Sequence, residues 1–381
     1  MTNTTPPVAG THGGNRRVLA EHAGCRPGDL LDFSANINPL GMPPAGMHAL
    51  AQATQTLGDY PDPDCTALRA CIGAQLAVSP ARILVGNGAE QLIWWLPRLL
   101  GARRVVVTAP CYLDYWRAAD VWGLEVVPMR LPAEDDFAVD LTALVSLATA
   151  GDLIWLGHPN NPTGRCVDVH ALAAIAVARR DVWWALDEAF IDFVDDAASG
   201  VGLGLDNVVV VRSMTKFFAM PGLRLGYAVL APGLAAAGRR LLPAWSVSTP
   251  AQMVGVALLS DPGRAAFEAR TRETIRAQRG LLAAGLRGLG ARVIDGAANY
   301  LLWRLPDTAP SAAAVADALL RRSKIAVRTC GDYPGLDGAW LRVAVRTAAE
   351  HAQLLAGLAV VLAEATDMQP TRDLSQRRGG A

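Results

Sequence analysis

Between residues 81 and 230, short runs of apolar and β-branched residues alternate with helix-like stretches, and polar clusters follow directly after several of these runs. The runs are Arg82-Ile83-Leu84-Val85, Val105-Val106-Val107, Leu124 to Pro128, Leu153-Ile154-Trp155-Leu156, Val182 to Leu186, Val208 to Val211 and Leu225 to Leu230. Continuous rather than alternating apolarity means that both faces of each strand are covered. That pattern predicts a mostly parallel sheet between layers of helices. In such sheets, ligands bind beyond the carboxyl ends of the strands, where the polar clusters lie here.

From about Asp261 the character changes. A long Arg/Ala/Leu-rich helical pattern runs through Leu289. Strand-like Ala291 to Ile294 and Asn299 to Leu305 follow, then a second helix over about Ser311 to Arg322 and strands at Ile325 to Val327 and Trp340 to Val345. This is the pattern of a smaller α+β unit. Residues 1–11 are Thr/Pro-rich and predict a flexible arm, and residues 366–381 are polar and Arg-rich and predict a disordered tail.

The 381 residues are 51% hydrophobic, enough for a sizeable core. Lys plus Arg equals Asp plus Glu at 35 each, which argues against a nucleic-acid binder while leaving local anion sites open. The six cysteines are scattered without a C-x-x-C pair, as expected of free thiols in a reducing compartment, with Cys111 as packing. Residues 1–11 lack the basic and apolar regions of a signal peptide, and Leu354 to Ala363 is too short for a membrane span. A cytoplasmic protein with no membrane and no metal is the expectation.

Four segments carry chemistry. In Ser213-Met214-Thr215-Lys216-Phe217-Phe218, a lysine follows a strand and precedes apolar residues, with Arg224 eight positions on. A Schiff-base lysine must lose its proton, which a water-poor pocket favours. Ser213, Thr215 and Arg224 have the donors to hold a phosphate; the alternative is a surface lysine and a solvated arginine. In Ala185-Leu186-Asp187-Glu188-Ala189-Phe190, a carboxylate ends a strongly apolar run. It either partners a protonated pyridine nitrogen or caps a helix. Gly157-His158-Pro159-Asn160-Asn161-Pro162-Thr163-Gly164 predicts a tight, rigid loop from which Asn161 could donate to a pyridine 3′-oxygen. Gly86-Asn87-Gly88-Ala89-Glu90 is a Gly-rich entry into a helix, where free backbone N–H groups suit a phosphate.

In this order and at these separations, the four segments resemble the fold-type I pyridoxal 5′-phosphate (PLP) enzymes of the class I/II aminotransferase superfamily. The resemblance covers about residues 12–362. It implies an α/β fold with a mostly parallel central sheet in a large domain and a smaller α+β domain. The implied division is 12–45 joining the small domain, 46–260 as the large PLP-binding domain and 261–365 as the small one. Lys216 is then the cofactor-bearing lysine, Asp187 the partner of the pyridine nitrogen, Asn161 that of the 3′-oxygen and Tyr112 the stacking aromatic. Gly88, Ala89, Glu90, Ser213, Thr215 and Arg224 match the phosphate cradle. Arg342 matches the arginine that holds the substrate carboxylate. Tyr60, in Tyr60-Pro61-Asp62-Pro63, matches a residue that reaches the neighbouring subunit's cofactor, which implies a homodimer.

Within that superfamily the spacing resembles the histidinol-phosphate aminotransferases. The segments His12-Gly13-Gly14-Asn15, Asp32-Phe33-Ser34-Ala35-Asn36-Ile37-Asn38-Pro39 and Leu341-Arg342-Val343-Ala344-Val345-Arg346 are similar to the threonine-phosphate decarboxylases of cobalamin biosynthesis. That similarity implies decarboxylation of L-threonine O-3-phosphate to (R)-1-amino-2-propanol O-2-phosphate. An aminotransferase acting on histidinol phosphate with 2-oxoglutarate or glutamate is the alternative. Phe190 stands where the aminotransferases carry a tyrosine, so one hydroxyl to the 3′-oxygen is missing. The implied substrate set is His12, Gly13, Ser34, Asn36, His158, Asn161, Arg328, Arg342 and Arg346. His12 on a Gly-rich arm also reads as a mobile surface histidine, His158 as a residue orienting its loop, and Arg328 as a salt-bridge partner.

Overall fold

The computed structural model describes residues 12–367. The arm at 1–11 and residues 368–381 of the expected tail lie outside the described residues. Residues 366 and 367, expected in the tail, instead continue the last helix, Ala348–Asp367.

The apolar runs become strands. After the two-residue β1 (Leu31–Asp32), the chain forms β2 (Ile83–Asn87), β3 (Arg104–Ala109), β4 (Glu125–Arg130), β5 (Leu153–Gly157), β6 (Trp183–Asp187), β7 (Val208–Ser213) and β8 (Leu225–Val229). The last seven make one sheet in the order β2-β8-β7-β6-β5-β3-β4. All neighbours are parallel except β8, which runs antiparallel to β2 and β7. Side chains alternate across this sheet. Val106, Ile154, Trp184 and Val210 enter one buried cluster. Val105, Val107, Leu153, Trp155, Val209 and Val211 enter the cluster on the other face. Burial on both faces explains why the strands read as unbroken apolar runs.

Four further strands, β9 (Arg292–Val293), β10 (Tyr300–Arg304), β12 (Arg328–Thr329) and β13 (Trp340–Ala344), form an antiparallel sheet in the order β12-β13-β10-β9, with β11 (Ile325–Ala326) preceding β12. One face packs Leu301, Trp303, Leu341 and Val343 against Leu282 and Leu286 of the helix Arg264–Gly288 and Leu354 and Leu358 of the last helix. β1 pairs in parallel with β11, and Phe33 O accepts from Ala344 N at 2.9 Å. The amino-terminal segment is thus tied to this second sheet. Beyond Ser34 it crosses to the large sheet, where Asn38 N donates to Lys216 O and Asn38 Nδ2 to Phe217 O.

Candidate active site

The carboxyl ends of β2, β3, β5, β6 and β7 lie along one edge of the seven-stranded sheet. Because β8 runs the other way, its amino end reaches the same edge, and Leu225 sits in register with Asn87 and Gly226 with Ser213. That reversal brings Arg224 beside the start of the helix Gly88–Leu99. The cavity beyond this edge has a volume of about 600 Å³.

At one end are Ala89, Ser213, Thr215 and Arg224. The Ser213 and Thr215 hydroxyls are 2.7 Å apart, and the helix presents its unbonded first amides here. The approach is too close for side chains. A Cβ on Gly88, whose φ is +78°, would lie 2.7 Å from an Arg224 nitrogen, and one on Gly226 would lie 2.3 Å from Ala89 N. Gly88 itself does not line the cavity; it lets Arg224 in. Two hydroxyls, a guanidinium and a helix amino end form an anion cradle. Glu90 lines the cavity too, but its carboxylate accepts from Trp94 Nε1 at 2.8 Å and Tyr112 OH at 2.7 Å. Its side chain therefore braces the Tyr112 ring, leaving only its amide for the cradle.

Lys216 is enclosed. Burial, aided by the charges of Arg224 and Arg342, lowers its ammonium to about 8 from 10.5. Asp187 is also enclosed, and burial raises its carboxyl to about 6 despite bonds from Tyr115 OH at 2.7 Å and Ala189 N at 3.0 Å. Each group is pushed toward its neutral form, the state in which a lysine is nucleophilic. Tyr115 was not singled out from the sequence. It stacks on Trp155 with ring centres 4.6 Å apart and an interplanar angle of 4°, which fixes its hydroxyl on Asp187.

The other wall comes from β12, β13 and the amino-terminal segment. Arg342, opposite Arg328 in register, donates to Asn161 Oδ1 at 2.6 Å and to Ser34 O at 2.8 Å. Asn161 thus faces the cavity as an acceptor for Arg342, with its amide nitrogen still able to donate to a ligand. The loop is held by Asn160, which donates to Pro110 O and Thr163 Oγ1 at 3.0 Å each. Arg328 lies over the Tyr333 ring and pairs with Asp332 at 2.6 Å, so the salt-bridge reading holds and the guanidinium also lines the cavity. His12, Gly13, Ser34 and Asn36 line it as well, and the buried Asn36 Oδ1 has no partner among the described residues. Phe190 lines the cavity and meets Tyr300 edge to face, offering no hydroxyl.

Two expectations are corrected. His158 is buried behind the loop, its Nε2 donating to Ala198 O at 2.9 Å and its Nδ1 accepting from Val167 N at 3.2 Å. With both ring nitrogens engaged, it orients the loop and is not a cavity residue. Arg346 lies past the end of β13, clasped by Glu350 at 3.0 Å and Asp32 O at 3.3 Å, over the Phe33 ring; it too is outside the cavity. Tyr60, expected at a neighbouring subunit's cofactor, is 79% exposed and stacked on Trp245, outside its own chain's cavity. Trp94, Asp114 and Arg117 line the cavity without having been expected. No motif marks them, because they project from helix faces rather than from the strand-end loops.

An anion cradle, an enclosed amine, a buried carboxylate and a stackable tyrosine fit the phosphate, aldehyde, pyridine nitrogen and ring of PLP. The site defines a PLP enzyme. Residues 28–358 match the family Aminotransferase class I and II, and the chain belongs to that family. Its cofactor is PLP.

Among similar proteins, the threonine-phosphate decarboxylase of Salmonella typhimurium is 37% identical over 361 residues, covering 92% of this chain and 96% of that protein. An adenosylcobalamin biosynthesis bifunctional protein of Leptospira interrogans is 32% identical over 349 residues. That match covers 90% of this chain, which spans 40% of the longer relative. A histidinol-phosphate aminotransferase of Anaeromyxobacter sp. is 33% identical over 343 residues, covering 88% and 91%. The structure of histidinol-phosphate aminotransferase from Sinorhizobium meliloti in complex with pyridoxal-5′-phosphate superposes with a TM-score of 0.83 at 24% identity, covering 96% and 98%. Among the described residues, no helix is long and apolar enough to cross a membrane.

Proposed function

We propose that this chain decarboxylates L-threonine O-3-phosphate to (R)-1-amino-2-propanol O-2-phosphate and CO₂, as a step of cobalamin biosynthesis. The observation that carries the reading is the wall opposite the cofactor cradle. There Arg342 and Arg328 sit side by side in register, with His12 also lining the cavity, so the wall can take two anionic groups of one small substrate. Arg342, pinned by Asn161 and Ser34, takes the carboxylate; Arg328 and His12, with Ser34 and Asn36, take the phosphate. The Salmonella relative, matched over nearly its whole length, supports the same reaction.

Bound PLP supplies the electron sink for cleavage at Cα. Asp187, kept in place by Tyr115, would hold the ring nitrogen, Tyr112 would stack on the ring, and Ser213, Thr215 and Arg224 would hold its phosphate. Arg342 and the phosphate anchors would fix how the substrate's Cα–carboxylate bond is presented to that sink, and so favour loss of CO₂. Lys216, in its ammonium form, would return a proton to Cα in place of the carboxylate. Exposed Tyr60 is assigned to the cavity of a second copy in a homodimer. The test is CO₂ release from L-threonine O-3-phosphate by PLP-loaded protein without a keto acid. Sustained release with accumulation of the amino alcohol phosphate supports the reading. No release, with amino transfer from histidinol phosphate to 2-oxoglutarate, replaces it with the aminotransferase.

A further inference from the structure

The carboxylate of Asp114 needs an explanation that the cofactor does not supply. It sits in the first turn of the helix Asp114–Val121 with its side chain 2% exposed, and a buried carboxylate is costly unless it is paired. Its Oδ2 lies 3.1 Å from His12 Nε2 and its Oδ1 3.3 Å from Arg117 Nη1, and Arg117 Nη1 lies 2.8 Å from His12 Nε2. Burial alone would raise this carboxyl; His12 and Arg117 outweigh burial and hold it below the usual range. His12 comes from the far side of the cavity. Behind it, Gly13 presses on the Ser34 carbonyl so closely that a Cβ would lie 2.2 Å away, and Gly14 N donates to Ser34 Oγ at 2.9 Å. The Ser34 oxygen that Gly13 meets is the one that accepts from Arg342. One continuous set of contacts therefore runs from the helix Asp114–Val121 through His12 and Ser34 to the arginine assigned to the substrate carboxylate.

We propose that Asp114 is a positioning residue that, with Arg117, holds His12 and the segment behind it across the mouth of the cavity, so that His12 faces the substrate's phosphate. The inference rests on the substrate reading above for what His12 meets, but not for the tether itself. The test uses PLP-loaded protein and three variants, Asp114→Asn, His12→Gln and the double variant. The exposed His12 position makes His12→Gln the variant that keeps the test valid should Asp114→Asn fold poorly. The expected result is a KM for L-threonine O-3-phosphate raised about tenfold with kcat within about twofold, in each single variant and no further in the double. Hydrogen exchange in a peptide covering Gly13 and Gly14 is expected to speed up about tenfold in each variant, since the bond of the Gly14 amide to Ser34 Oγ depends on the same tether. Additive KM effects, or exchange at Gly13 and Gly14 equal to wild type, would overturn the proposal. If wild-type protein does not act on L-threonine O-3-phosphate, the substrate reading fails and the exchange comparison alone decides the tether.

Discussion

Lys216→Met in cofactor-free protein tests the most strongly perturbed cation of the site. With the ammonium at about 8 in the fold against 10.5 for the free side chain, the native state binds fewer protons than the unfolded chain between those values. Stability from this residue is therefore full above about pH 10.5 and lost as the pH falls through about 8. Applying the two-state linkage relation, the charged lysine costs about 3 kcal/mol at pH 7 and about 1 kcal/mol at pH 9.5. Methionine has a similar length and no charge, so any packing difference it introduces is independent of pH. The variant's stability gain over wild type should thus shrink by about 2 kcal/mol between the two pH values. Urea unfolding of both cofactor-free proteins at pH 7 and 9.5 measures it, with changes common to both cancelling in the difference. A difference that stays constant with pH would show that Lys216 is not desolvated, and the nucleophilic reading of the residue would go with it.

Other substitutions separate the cofactor contacts from the scaffold. Tyr115→Phe keeps the stack on Trp155 but removes the bond to Asp187, and affinity for PLP should fall about tenfold in an absorbance titration, since bonds to charged groups contribute about 1.5–3 kcal/mol. Gly226→Ala forces a Cβ against Ala89 N, so the purified protein should retain little PLP, measured as cofactor content per chain. Arg346→Ala should leave kcat/KM within about twofold while lowering the unfolding free energy by about 1 kcal/mol through loss of the Glu350 pair. Arg342→Lys, which cannot donate in parallel to two acceptors, should lose well over tenfold in kcat/KM.

The strands of the large sheet were legible because each is buried on both faces, and a fully apolar run bounded by turns has few other uses. The site was legible where its residues sit at strand ends: Asp187, Asn161, Lys216 and Tyr112 all follow apolar runs. What the sequence hides is proximity. Nothing between positions 88 and 224 announces that a reversed strand sets an arginine against a glycine, or that His12 meets Asp114 across the cavity. The two misplaced substrate residues fail for related reasons. Arg342 lies within β13, on the face away from Leu341 and Val343, so strand alternation carries it to the cavity. Arg346 has the same parity but lies beyond the strand, where alternation no longer applies and Glu350, four residues on, captures it. His158 is adjacent to a cavity loop, but its neighbours in space are backbone groups of residues 167 and 198, which local spacing does not reveal.

The opposed shifts of Asp187 and Lys216 show why the empty and loaded forms should differ in stability. Burial raises Asp187 to about 6, so its contribution is full below about 3.8 and lost as the pH rises through about 6. At pH 7 the cofactor-free fold therefore carries the cost of an enclosed carboxylate as well as that of an enclosed ammonium. Like charges add to the cost of burial at each group, Glu90 and Glu188 at Asp187 and Arg224 and Arg342 at Lys216, while Glu90 and Asp187 offset part of it at Lys216. A cationic ring nitrogen held by Asp187 and an aldehyde that takes up the Lys216 amine would relieve both at once, and an anionic phosphate would relieve Arg224 beside them. The energy invested in enclosing these groups is thereby returned as affinity for the one ligand whose nitrogen, aldehyde and phosphate match all three positions.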